Sequence, residues 1–372
     1  MYKNQILYIF GPGRKSKLDE NSVKASEFFY GFNFFKKKYT TEILEVNKNH
    51  SNKEGLRKFI HIYDRIIVKL TNFPSYSVEL ISKKNMKLLK SSKKIVYTSD
   101  ALFLSLLPVL FLNKVLKRRN ENFVITMGLF GKQSTNFLKS IFNLIYQKIF
   151  LYSADKFIFL GYGEYQFVKN KFSKYESKFE YLPFCVDTKF WSKSKNEKKE
   201  GVLFIGNDGK RDYNFLIKLS QHLPELNFTV ITNQKLNFNT SNVRYIKGNW
   251  SDQLISDESL RDIYSKSKLT IIPIKNSYQP SGQSVALQSL SCNTPILITK
   301  TNGFFGDEDF IKEYKINFVQ SNLVTEWENE LNKILNDYQK VQLDSKSFNN
   351  FIDNFDVAEF NLGLEKILFG SQ

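Results

Sequence analysis

Short apolar runs of strand length alternate along this chain with longer stretches whose apolar residues recur at helical spacing. The first run is Gln5–Phe10 (QILYIF). It breaks at Gly11-Pro12-Gly13-Arg14 before a stretch carrying Phe28, Phe29, Phe32 and Phe35. Similar runs fall at Arg65–Lys69, Lys94–Tyr97, Phe123–Thr126 and Lys156–Leu160, then at Gly201–Gly206, Phe228–Thr232, Val243–Ile246 and Leu269–Ile274. Strands and helices in regular alternation predict an α/β protein with parallel, doubly wound sheets. The opening is Rossmann-like, although the full G-x-G-x-x-G is absent and no acidic residue is expected to close a second strand at the usual distance. The tail, Val324 to Leu368, reads as helical and polar.

The most informative stretch is Tyr278 to Ile298, YQPSGQSVALQSLSCNTPILI. Pro280, Ser281 and Gly282 break the strand before them, and from Gln283 the residues Val285, Leu287 and Leu290 follow a helical pattern. Asn293 suits the left-handed position that ends a helix, and Pro295 blocks continuation. The unit is therefore strand, glycine loop, helix, strand. Its helix start offers unpaired N–H groups and a positive dipole end to an anion such as phosphate. The same Ser-Gly pair also occurs as an ordinary cap in α/β proteins, so this local pattern does not decide between the two.

The run QSLSCNTPIL resembles the latter half of the "A-M-A-x-G-x-P-V" signature of retaining, nucleotide-sugar glycosyltransferases of family 4 (glycosyl transferases group 1), which have the GT-B fold. The signature's acidic positions differ here: Gln279 or Pro280 stands near the first and Gln288 at the second. Tyr181–Phe190 (YLPFCVDTKF) resembles that family's "P-x-G-V-D-x-x-x-F" hinge, with Cys185 in the glycine position.

The resemblance runs from the hinge onward and implies two Rossmann-like domains facing a central cleft. Residues 1–190 would form an acceptor domain and 200–350 a donor domain, with 351–372 a helix crossing back. It implies a UDP- or GDP-sugar donor, no bound cofactor and no metal. Lys210 and Arg211 would hold the diphosphate as the catalytic cations, at the end of a strand where a phosphate clamp needs them; a solvated basic turn would look the same. Gly206, Asn207, Gln279, Ser281, Gly282, Gln283 and Gln288 would line the donor, with Gly11 and Gly13 across the cleft. Asp100 and Gly128 follow strands, where ligand sites of open sheets lie, and are acceptor-side candidates. The family's cleft histidine has no counterpart in MGLFGK.

Charge adds an acceptor expectation. Up to Lys195 the chain has 35 Lys and Arg against 15 Asp and Glu; beyond it the count is 19 against 22. All of the +17 net charge therefore comes from the first half, which predicts an anionic partner there. No nucleic-acid-binding module is recognisable, so nucleic acid is not expected. A sugar-nucleotide epimerase of the same fold would want acidic and histidine residues in the cleft. The apolar, Lys- and Arg-flanked stretches Leu102–Leu116 and Phe137–Leu151 suggest either plain core or a membrane-contacting surface. Ala101–Leu112 is too short to span a bilayer and contains Pro108. With two cysteines and no secretory pattern at its start, the chain reads as cytoplasmic, peripheral on the inner membrane face, with a lipid, lipid-linked or glycan acceptor.

Overall fold

The protein is described here from a computed structural model covering residues 4–19, 24–46, 56–71, 74–117, 120–131, 137–192, 198–248 and 254–370. Arg118, Arg119, Lys132 and most of the charged stretch after the hinge lie outside the described residues.

Two six-stranded parallel sheets organise the chain. The first holds β1 (Asn4–Phe10), β2 (Thr41–Glu45), β3 (Ser92–Tyr97), β4 (Glu121–Thr126), β5 (Lys156–Phe159) and β6 (Phe179–Tyr181), in the order β2-β1-β3-β4-β5-β6. The second holds β7 (Glu200–Ile205), β8 (Phe228–Thr232), β9 (Val243–Lys247), β10 (Ser267–Ile272), β11 (Ile296–Thr299) and β12 (Asn317–Val319), in the order β12-β11-β10-β7-β8-β9.

Parallel sheets need both faces covered, and β1 shows the consequence in sequence. Ile6, Tyr8 and Phe10 point into one core and Leu7 and Ile9 into another, all of them fully buried. The Leu7/Ile9 face packs under the helices Leu56–Thr71, Asp100–Val115 and Phe137–Ser153. The Tyr8 face packs under Phe32 and Phe35 and continues without a break into the core of the second half. The last helix, Val357–Phe369, lies against the first half: Phe369 stacks on Tyr39 with ring centroids 4.6 Å apart, and Tyr39 Oη donates to Glu365 at 2.6 Å.

Two expectations are corrected. Arg65–Lys69 is not a strand but part of the helix Leu56–Thr71. Its β-branched Ile66-Ile67-Val68 imitates a strand locally, yet the apolar residues of the whole segment recur at helical spacing, and that longer period wins. Conversely, Thr41–Glu45 is a second strand, and it does close on an acid: the Glu45 carboxylate accepts from the backbone N–H groups of Arg14 and Lys15, capping the first loop.

Candidate functional site

The loops at the C-terminal edges of the two sheets meet, and the signature loop is the meeting point. Gly128 and Gly131 follow β4 and Gly161 follows β5. A Cβ on Gly128 would lie 2.9 Å from Gln279, one on Gly131 would strike Tyr278, and one on Gly161 would strike Pro280. The glycines are thus a flush seat for residues 278–280. Tyr278 stacks on Phe167 with centroids 3.9 Å apart, and Tyr162 N and Gly163 N donate to the carbonyls of Phe305 and Phe304 at 3.1 and 2.9 Å.

Behind the seat, the loop after β7 and the signature loop are tied together. Arg211 is buried; its Nη1 donates to Ser281 Oγ at 2.8 Å and lies 3.2 Å from Asp208 Oδ2. Ser281 Oγ in turn donates to the Asp208 carboxylate, 2.9 Å from Oδ2. Asp208 also accepts from the backbone N–H groups of Lys210 and Arg211. The guanidinium fits because Gly206 and Gly282 flank it. A Cβ on Gly206 would strike Arg211 Nε, and one on Gly282 would lie 3.1 Å from Nη1. Asn207 braces the same edge, accepting from Thr232 Oγ1 at 3.1 Å and donating to the Gly248 carbonyl at 3.0 Å. Lys210 beside it is half-exposed.

Gly282 precedes the helix Gln283–Ser291 in a left-handed conformation, φ 85°. The helix ends as expected from Asn293, which has φ 52°: Thr294 N donates to Ser289 O at 2.9 Å and Asn293 N to Leu290 O at 2.8 Å. Gln283 is buried, and its Oε1 has no hydrogen-bond partner among the described residues. A buried carbonyl oxygen left so at a helix N-terminus is costly unless something else meets it.

Gln288 is one turn further in, buried, accepting from Tyr264 Oη at 3.2 Å and donating through Nε2 to Glu27 at 2.9 Å. Glu27 also accepts from Trp191 Nε1 at 2.8 Å. It belongs to the first half, so a carboxylate comes from the opposite side to the position where the family signature has its own acid. A glutamate at 288 would set two buried carboxylates against each other; glutamine donates instead. Burial pushes the Glu27 carboxyl up to about 7 from 4.5, against the pull of its Gln288 and Trp191 donors.

The sign follows from proton binding. A carboxyl that holds its proton more tightly when folded stabilises most below its unfolded pKa, near pH 4.5, and that contribution is lost as pH rises through about 7. Wild-type protein should therefore lose about 3 kcal/mol from this group between those limits. Glu27→Gln should flatten the change in denaturation midpoint measured from pH 5 to 8; an unaltered pH profile in that variant would refute the assignment.

Asp100 and Gly128 come together on the first half. Asp100 Oδ2 accepts from Met127 N at 2.8 Å, and Gly128 N donates to the buried Glu164 at 2.7 and 2.9 Å. Burial, then the nearby Asp100 charge, holds the Glu164 carboxyl well above the usual carboxylate range. The pair thus shapes the loop on which Gln279 sits. A Cβ on Gly11 or Gly13 would meet nothing within 4 Å, so neither glycine is held by a close approach. Gly13, with φ 85°, borders a cavity of about 730 Å³ shared with Lys15, Glu45, Glu79 and Lys84.

Asp208, Glu27 and Glu164 are not singled out in the sequence, and the structure places them beside the candidate residues. Glu164 had a signal, an acid in the first turn after β5, but such acids usually complement a helix dipole. Among the described residues no group of three or more His, Cys, Asp or Glu could hold a metal ion.

Two doubly wound parallel sheets joined at their C-terminal edges make this a GT-B fold. No protein-family model and no curated protein matches the chain. Solved structures do. A glycosyltransferase from Rickettsia africae ESF-5 superposes with a TM-score of 0.63 at 12% identity over 100% of both chains. Anabaena Alr3699/HepE, solved in complex with UDP-glucose, gives 0.62 at 12% identity over 98% of this chain and 99% of that one. TarM gives 0.55 at 12% identity over 76% of this chain and 55% of that one. At such identity the likeness is one of fold.

Proposed function

We propose that this protein is a glycosyltransferase that moves a sugar, with retention, from a nucleoside diphosphate donor to a lipid, lipid-linked or glycan acceptor. The observation that carries the reading is the Arg211–Ser281–Asp208 cluster at the N-terminus of the helix Gln283–Ser291, where the buried Gln283 carbonyl oxygen leaves an acceptor for a donor hydroxyl. GT-B neighbours that include a UDP-glucose complex support the donor class.

In this reading residues 1–190 serve the acceptor and 200–350 the donor. The bond from the sugar's anomeric carbon to the diphosphate oxygen breaks, the acceptor oxygen bonds to that carbon on the same face, its proton passes to a leaving diphosphate oxygen, and charge builds on that phosphate as the bond breaks. Lys210, Arg211 and the N–H groups at the start of the helix Gln283–Ser291 offset that charge by preorganised electrostatics, without a metal. Asp208 cancels part of the Arg211 charge, so Lys210 and the helix end carry much of the field.

A thermal-shift panel of UDP, GDP, CDP and ADP with their sugar conjugates tests the donor assignment. One nucleotide family should stabilise the protein by about 2.7 kcal/mol at a hundred times its dissociation constant, a rise of several degrees. No shift with any nucleotide would overturn the reading.

A further inference from the structure

We propose that the outer face of the helices Leu56–Thr71, Asp100–Val115 and Phe137–Ser153 is a docking surface for an anionic lipid bilayer. The proposal rests on the reading of an acceptor held at a lipid surface, and it says which side of the molecule meets that surface. Among the described residues 17 large hydrophobic side chains are exposed, and 13 of them lie on these three helices or at the end of one. They are therefore concentrated rather than scattered. Phe59 is 71% exposed and Phe137 76%.

The helices adjoin one another. Tyr63 Oη donates to Leu104 O at 3.3 Å and lies 2.8 Å from Tyr146 Oη, while the rings of Phe111 and Tyr152 are 5.9 Å apart. Their inner sides already fill the core through Ile67, Phe103 and Phe150, so the outer apolar face is surplus to folding. Exposed apolar side chains concentrated in this way mark an interaction site.

Charge selects the occupant. Lys58, Arg65, Lys69, Lys117 and Lys148 are exposed on the same helices or at their ends. The only acids within the three helices are Asp64 and Asp100, and both serve the backbone. Asp64 accepts from Ser77 N at 3.2 Å and Val78 N at 3.3 Å; Asp100 accepts from Met127 N at 2.8 Å. An apolar face with basic side chains and no outward acid fits a bilayer with anionic headgroups. A second copy of this face would oppose lysine to lysine, which disfavours self-association. None of the described helices is long and apolar enough to cross a membrane, so the contact is a surface one.

Co-sedimentation of the full chain with phosphatidylglycerol–phosphatidylcholine vesicles tests this, because it reads docking without any transfer. Wild-type protein should sediment with them, more weakly at high salt and far more weakly with phosphatidylcholine alone. Phe59→Ser with Phe137→Ser changes exposed positions and should keep the unfolding midpoint while lowering the partition coefficient roughly tenfold or more. Lys58→Ala and Lys148→Ala should each lower it about fivefold. Three results would overturn the proposal: no sedimentation with anionic vesicles, equal sedimentation of the folded serine variant, or a dimer that this variant dissociates. The nucleotide shift above is independent of vesicles, so failure of the donor assignment and failure of docking are read separately.

Discussion

Arg211→Ala should reduce sugar transfer by a factor of 10²–10³, about 3–4 kcal/mol of transition-state stabilisation. The effect is large because this guanidinium is a structural and an electrostatic centre at once. It links Asp208 on the loop after β7 to Ser281 on the signature loop, and it lies between Gly206 and Gly282. Removing it leaves the Asp208 carboxylate, about a third exposed, without its cation, and it leaves a gap behind the helix N-terminus. A stability loss of about 1–3 kcal/mol should accompany the catalytic one, so both need measuring. Unfolding midpoint and kcat/KM, taken with the nucleotide sugar that the shift panel identifies, separate them. A folded variant with undiminished transfer would remove Arg211 from the mechanism. Asp208→Asn is the complementary case: it keeps an acceptor for the two backbone N–H groups and releases the Arg211 charge, so the diphosphate should bind more tightly.

Gly282→Val should destabilise the protein by about 4 kcal/mol and abolish nucleotide binding with it. Two costs combine. A β-branched side chain at φ 85° is strained by roughly 1–2 kcal/mol, and the Cβ would lie 2.7 Å from Ile272 Cγ2 and 3.1 Å from Arg211 Nη1. Ile272 is fully buried at the end of β10 and cannot withdraw, so the loop must lift. The buried contact with Ile272 adds a loss of stability to the loss of donor binding. Chemical denaturation of Gly282→Val beside Gly282→Ala tests it. A valine variant as stable as wild type would show that the turn is free to relax.

Much of the architecture was legible in the sequence because it follows from local periodicity. Strand-length apolar runs separated by helical stretches can bury both faces only in parallel, doubly wound sheets. The break at Pro280–Gly282 followed by helical spacing, and Asn293 at the helix end, were equally local. Where a local signal competed with a longer one, the short window misled: Ile66-Ile67-Val68 imitated a strand inside the helix Leu56–Thr71. Glu45 escaped notice because its meaning lies in the backbone of Arg14 and Lys15, thirty residues earlier.

The tertiary structure alone decided which charges are spent on each other. Lys210 and Arg211 look alike in sequence, yet one is half-exposed and the other is buried against Asp208 and Ser281, a residue 70 positions away. Gln288 departs from the acidic pattern it resembles, and its partner Glu27 is 261 residues distant, so no spacing could pair them. The basic first half predicts an anionic partner, but only the tertiary structure shows that thirteen of the exposed apolar side chains lie on three adjoining helices or at the end of one. Composition and period determine what a segment can bury; which groups meet, and so which charges remain to act on a ligand, is set by contacts between segments far apart in the chain.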